Sequence, residues 1–269
     1  SLKLKLQQKR LMIFLHWRII KMIKLNLQQI KNSAHLFKGI SDTALTSCLE
    51  GLMGDVYGES ENPKMAIAFL GYIYIGGVLD KAFLNEFMNF IGNGHLVFIS
   101  DNKEIRDEII KHYGEKAHIQ RRFETIKEFP NLPEYSYKLT DGFALKRFDK
   151  DLYTQAMNED WSDGFCNNFN GCNDFLKNGL GFGITYNDKL VCGATSFSYY
   201  SSGYEVIIAT NPDFRKRGLA RIASYEFIKE SLKQDRLPSW DAAHEVSLHL
   251  AEWLGYKLDY EYTGISIQA

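Results

Sequence analysis

Residues 207–220 read Ile-Ile-Ala-Thr-Asn-Pro-Asp-Phe-Arg-Lys-Arg-Gly-Leu-Ala, IIATNPDFRKRGLA. The apolar run from Val206 to Ala209 ends at Asn211-Pro212, three consecutive cations follow, and Gly218 opens a new pattern. Leu219, Ala223 and Phe227 recur at helical spacing, with Ile228 and Leu232 on the adjoining row. Apolar groups on both strand faces predict a central position in a sheet. Like charges crowded at a strand-to-helix turn repel one another unless an anion sits among them. The first N–H groups of a helix have no intrahelical partner, the dipole is positive there, and glycine admits a close backbone approach. The stretch therefore reads as a central strand feeding an anion-binding helix start; a solvated basic helix start is the plainer alternative.

Working outward, Pro238 precedes a short strand at Ser239–Ala243, a helix at Val246–Leu254 ended by Gly255, and one or two strands over Tyr256–Ile267. Upstream lie a strand at Phe143–Phe148, a helix at Lys150–Asn158, and a hairpin of Gly183–Tyr186 and Leu190–Tyr199 turning at Asn187-Asp188. Tyr204–Thr210 is the next strand. Further forward, Ser41–Gly54 reads as helix, Met65–Tyr74 as one buried strand, and Ala82–Phe90 as a helix capped by Asp80. His95–Ser100 follows as strand, Asp101–Tyr113 as helix and His118–Thr125 as strand. This alternation predicts an α/β (α+β) chain. Two prolines in Glu128–Glu134 mark a linker, dividing a smaller α/β domain at 22–134 from a mixed sheet flanked by helices at 135–269. No internal repeat of solenoid period is visible.

Composition excludes several function classes. A formal net charge of −1 argues against a generally basic nucleic-acid binder, so an anion site must be local. Cys48, Cys166, Cys172 and Cys192 lack CxxC spacing and predict free thiols in a reducing cytoplasm. Residues 1–21 are rich in Lys and Arg and contain no acid. Their apolar part, Leu11–Leu15, is too short to span a bilayer, so an extension outside the fold is the expectation, with a basic surface anchor as the alternative. Gly179-x-Gly181-x-Gly183 precedes a strand rather than a helix, which rules out a dinucleotide fingerprint. No spacing suggests a metal site.

Arg215, Gly218 and Ala220 spell R-x-x-G-x-A between a central strand and an amphipathic helix, which resembles the acyl-CoA-binding motif of the GNAT N-acetyltransferase superfamily. The downstream PSWDAAHEVSLHLAEWLGY, residues 238–256, resembles that family's next strand–helix segment, and the likeness covers roughly 137–267. The whole chain further resembles a bacterial subgroup with an extra α/β domain in front. The resemblance implies direct acetyl transfer from acetyl-CoA to an amine, small-molecule or peptide, with no metal, nucleic-acid or membrane partner. It implies that Val206, Ile207, Ile208, Ala209 and Thr210 pair with the pantetheine arm between splayed strands. Arg215, Lys216, Arg217, Gly218, Leu219 and Ala220 would cradle the pyrophosphate, with His244 and Ser247 also touching the cofactor.

Glu205 stands where many members carry a base, and a carboxylate in an apolar strand is pushed toward a higher pKa; its plainer reading is a strand-end residue facing solvent. Asp241 and His244 are the alternate catalytic candidates. The acids of Glu159-Asp160-Trp161-Ser162-Asp163 lie where the family covers its acceptor. His244 replaces the asparagine that often opens the last helix, and Ala251 the tyrosine that often serves as acid. A non-catalytic acyl-CoA sensor is therefore the rival function. The front half either shapes the acceptor pocket or forms a homodimer interface.

Overall fold

A computed structural model describes residues 22–92 and 94–268, so the basic stretch 1–21 lies outside the described residues. The first half runs β1 (Ile23–Lys24), α1 (Leu27–Ser33), α2 (Thr43–Glu50), β2 (Asp55–Gly58), β3 (Met65–Leu70), β4 (Tyr72–Gly77), α3 (Lys81–Ile91), β5 (Leu96–Ile99), α4 (Lys103–Tyr113) and β6 (Ala117–Thr125). The second half runs β7 (Phe143–Arg147), α5 (Lys150–Met157), α6 (Cys172–Asn178), β8 (Gly181–Tyr186), β9 (Lys189–Tyr200), β10 (Gly203–Thr210), α7 (Leu219–Lys233), β11 (Leu237–Ser239), β12 (Asp241–Ala242), α8 (Glu245–Trp253) and β13 (Leu258–Ile267).

Local chemistry sets most boundaries. The side chains of Asp42, Asp80, Asn102, Asp149 and His244 each accept a hydrogen bond from a first-turn N–H of α2, α3, α4, α5 and α8. Asn187 and Asp188 both have positive φ, 47° and 64°, the backbone of a tight hairpin turn matched to strand twist. The single strand expected over Met65–Tyr74 is instead a hairpin. Gly71, at φ 65°, reverses the chain so that Leu70 faces Tyr72 and Met65 faces Gly77. The helix expected over Ser41–Gly54 is shorter, because Gly51 turns left-handed just after Glu50.

Two sheets result, in the orders β1-β2-β3-β4-β5-β13-β6-β12 and β11-β10-β9-β8-β7. The strand expected at Ser239–Ala243 is divided between them: Leu237–Ser239 runs parallel to β10, and after Trp240 the chain pairs antiparallel with β6. Residues 126–142, where the linker was expected, hold neither strand nor helix. The halves are nevertheless not closed on themselves. β13, expected to complete the second half, lies between β5 and β6 of the first, with nine of its residues paired to β6 from Leu258↔Thr125 to Ile267↔Ala117.

The two halves repeat one topology. Each runs strand, two helices, three antiparallel strands, helix, parallel strand, helix, final strand. β4 pairs parallel with β5 as β10 does with β11. The final strands are exchanged: β6 lies beside β12 of the second half, and β13 beside β5 of the first. Since only Trp240 separates β11 from β12, the strand order reads symmetrically outward from the β13–β6 pair.

Apolar packing follows that plan. One core, with Phe83, Phe87, Ile105, Ile109, Ile265 and Ile267, lies under α3 and α4. A second, with Ala223, Phe227, Ile228, Leu248, Ala251 and Leu254, lies under α7 and α8. Among the described residues no helix is long and apolar enough to cross a membrane.

Candidate active site

β10 is paired along its whole length with β9, but its other edge meets β11 only at Gly203–Glu205. Beyond Glu205 the partner strand swings away to β6, so Val206–Thr210 present an edge that no strand covers among the described residues. At the same point the β9–β10 register shifts, leaving Phe197 of β9 without a partner. A cleft of about 760 Å³ opens along this edge. It is lined by Val206–Thr210, by all six residues Arg215–Ala220, and by His244 and Ser247, so every residue expected to touch the cofactor lies on one surface.

The end of that cleft is built as an anion seat. Lys216 and Gly218 both have positive φ, 61° and 76°, so the loop turns twice through left-handed backbone before α7 begins. No side chain caps α7, and its first N–H groups have neither a capping nor an intrahelical partner. A β-carbon at Gly218 would meet no protein atom within 4 Å, so the glycine is demanded by φ and by the space before it, not by crowding from the fold. Arg215 donates from Nε to the Thr210 carbonyl at 3.2 Å, and Arg217 lies over the Phe214 ring. These contacts spread the charges around the helix start.

Glu205 lies where the strands part. It is 4% exposed, which removes the solvent-facing reading. Oε1 accepts from the Asp241 N–H at 2.9 Å, and Oε2 accepts from the Thr43 hydroxyl of α2. Burial pushes its carboxyl up to about 7; Lys127 opposes this, Asp42 and Asp241 add to it, and the Thr43 bond lowers it. Burial likewise raises Asp42 and, more strongly, Glu124. Lys127, 2.5 Å from Glu124, is held upward by Glu205 and Glu124 although burial alone would lower it.

The two alternate candidates, Asp241 and His244, also line the cleft, and each is held by further contacts. Asp241 lines the cleft, but its Oδ2 accepts from Arg122 at 2.8 Å and from the Tyr262 hydroxyl at 2.5 Å, in a pair almost wholly buried. This makes it the counter-ion of Arg122, while its Oδ1 is buried without a hydrogen-bond partner among the described residues. His244 caps α8, Nδ1 accepting from the Ser247 N–H at 3.1 Å, which fixes the ring at the cleft wall. Ser247 also accepts from Trp240 Nε1 at 3.1 Å. Ala251 is buried in the second core, so a side chain there points away from the cleft. The acids of 159–163 do not line it.

Sequence reasoning missed Tyr72, Arg122, Phe197 and Thr43. Tyr72 and Arg122 come from the first half, with the Arg122 guanidinium 4.7 Å from the Tyr72 ring centroid and Phe197 stacked on that ring at 5.1 Å. No local pattern marks them, because β4 and β6 reach the cleft only through the exchanged sheet. Cys48, Cys166, Cys172 and Cys192 are free, and none of them lines the cleft.

Among the described residues, the equivalent place in the first half is closed by its own contacts. Tyr74 holds the position of Glu205, as the last residue of β4 paired to the parallel strand that follows. Beyond it, Asn102 donates from Nδ2 to the Gly77 carbonyl at 3.1 Å, tying the start of α4 back to the end of β4. The Leu36–Phe37 backbone and ring pack on Gly76, where a β-carbon would collide. Asp80 takes both the Ala82 and Phe83 N–H groups, so the start of α3 is satisfied and carries a negative charge.

Among solved structures, a GCN5-related N-acetyltransferase-like protein from Streptococcus suis 89/1591 superposes with a TM-score of 0.82 at 29% identity, over 90% of this chain and 99% of that one. A tandem GNAT protein from the clavulanic acid biosynthesis pathway shares the fold with a TM-score of 0.55 at 9% identity, over 91% and 97% of the two chains. The uncharacterized N-acetyltransferase YdfB of Bacillus subtilis (strain 168) is 30% identical over 130 residues, 47% of this chain; the match spans about half the length of that relative, 49%. The family model described as GNAT acetyltransferase matches residues 34–265, taking in both halves and the strand they exchange. The chain belongs to the GNAT acetyltransferase family.

Proposed function

We propose that the protein transfers an acetyl group from acetyl-CoA to an amine, with the second half holding the cofactor and Glu205 serving as base. The observation that carries this is the uncovered edge of β10, which runs from a buried carboxylate to an uncapped, cation-flanked helix start. Backbone groups of Val206–Thr210 would pair with the pantetheine amides as an added strand does. The N–H groups at Gly218–Ala220 and the charges of Arg215–Arg217 would take the pyrophosphate. Bound acetyl-CoA supplies an electrophilic thioester carbon. An amine at the Tyr72–Phe197 end of the cleft reaches it as an ammonium and must lose a proton first. Glu205, lining the cleft with a pKa near neutrality, is matched to that task. The leaving thiolate departs without an acid from α8, since Ala251 faces the core.

The rival, an acyl-CoA sensor, draws on that same buried Ala251. Thiol release from acetyl-CoA over a panel of amines separates the two. Turnover with at least one amine is expected. A thermal shift with acetyl-CoA but no turnover favours the sensor, and no shift at all removes both.

A further inference from the structure

Glu205 has few neighbours able to hold it in place, and the decisive one comes from the other half of the chain. Its Oε1 rests on a backbone N–H that belongs to the fold whatever the side chains are. Its Oε2 rests on one side-chain hydroxyl, Thr43, the first residue of α2. Thr43 is buried, and the cap residue Asp42 anchors its helix start through the Ala44 N–H at 2.8 Å. The first half thus delivers a hydroxyl to the carboxylate of the second.

We propose that Thr43 is a positioning residue for the transferase reaction: its hydroxyl orients Glu205 toward the cleft and stabilises the carboxylate form that accepts the amine proton. This rests on the reading of Glu205 as base. A hydroxyl can play this part because it donates to a carboxylate and can then rotate to accept from the protonated acid, so one contact serves both states. None of the other charged or titratable groups acting on Glu205 donates a hydrogen bond to Oε2. Asp42 from the start of α2, Glu124 from β6 and Asp241 from β12 are acids that repel its charge. Lys127, just past β6, favours the Glu205 carboxylate through its charge but gives its hydrogen bond to Glu124. Tyr200 of β9 shares its hydrogen bond with the Ser239 hydroxyl, and Tyr256 before β13 donates to the Pro238 carbonyl. Removing the Thr43 hydroxyl while keeping its shape leaves Oε2 without a hydrogen-bond donor, and the Lys127 charge alone then opposes burial and like charge.

The test compares full-length wild type with Thr43→Val, Thr43→Ala and Thr43→Ser, each first checked for a wild-type circular dichroism spectrum. Glu205 is titrated without acetyl-CoA by carbon NMR on side-chain-labelled glutamate, its signal assigned from Glu205→Gln. Thr43→Val and Thr43→Ala are expected to move the Glu205 midpoint upward by about one pH unit, and Thr43→Ser to restore it. The acid limb of kcat/KM should move by the same amount. An unchanged midpoint in both hydroxyl-less variants overturns the proposal, as does a serine variant that behaves like valine. If the midpoint moves but Glu205→Gln turns over at the wild-type rate, the positioning contact is real and Glu205 is not the base. If Thr43→Val fails to fold, the alanine and serine pair decides.

Discussion

Replacing Glu205 by glutamine should cost activity and add stability, and the two effects should share a pH dependence. Glutamine mimics the protonated acid: its oxygen can still accept from the Asp241 N–H, and its amide can donate to the Thr43 hydroxyl. The wild-type carboxyl titrates at about 7 in the folded protein against an ordinary value of 4.5. Because the folded value is raised, the stabilising contribution is fully present below about 4.5 and is lost as pH climbs through 7. Two and a half units correspond to about 3 kcal/mol. The stability gap between Glu205→Gln and wild type should therefore be near zero at pH 4.5, widen up to pH 7, and stay level above it. For a chain of this size that plateau is about 6–12 °C in Tm. Asp42 and Glu124 are also raised by burial and feel the Glu205 charge, so each protein keeps a slope of its own, and the difference between the two curves reads Glu205 together with its coupling to them. Chemical denaturation of both proteins from pH 4.5 to 8.5 measures it. Parallel curves would refute the reasoning, because they would mean that Glu205 titrates like an exposed glutamate. In the same pH range wild-type kcat/KM should rise through about 7, and the variant should lose most of its turnover.

Gly218→Glu should abolish the thermal shift with acetyl-CoA, since it places a carboxylate at an anion seat and forces a side chain onto φ 76°; a retained shift would remove the loop assignment. Calorimetric titration should find one acetyl-CoA per chain, as among the described residues the open edge of β10 meets the uncapped start of α7 in one cleft; two sites would mean that the Asp80 and Asn102 seals open. Arg122→Ala leaves Asp241 buried without its cation and should cost about 3–5 kcal/mol in urea unfolding; a loss under 1 kcal/mol would mean water reaches Asp241 instead.

What could be read in the sequence was what short stretches decide. The loop at 215–220 was legible because its chemistry is complete within a dozen residues: a strand end, a proline, three cations, a glycine and an apolar stripe. Glu205 was legible by its strand but not by its surroundings, since Thr43 and Lys127 approach from distant positions. Tyr72 was hidden inside an apolar run whose only break, Gly71, proved to be a reversal. The repeat of topology left no trace in residue patterns, because the seats diverged at the positions that matter, Asp80 before one helix and Gly218 before the other. The exchanged strands were invisible for a simpler reason: β13 would alternate its side chains equally well beside any neighbour, and pairing partners are set by the whole sheet.

That exchange has a consequence for how the chain comes into being. Until residues 258–267 are available, β5 and β6 lack the strand that lies between them, and Arg122 lacks Tyr262. The sheet of the first half must wait for a strand about 130 residues downstream of β6 before it can close, exposing two unpaired edges in the interval. Closure joins positions far apart in sequence, which slows folding and favours a single late, cooperative step. A chain cut before β13 should therefore fail in its first half as well as its second, and in the cell it would present those edges to chaperones and proteases.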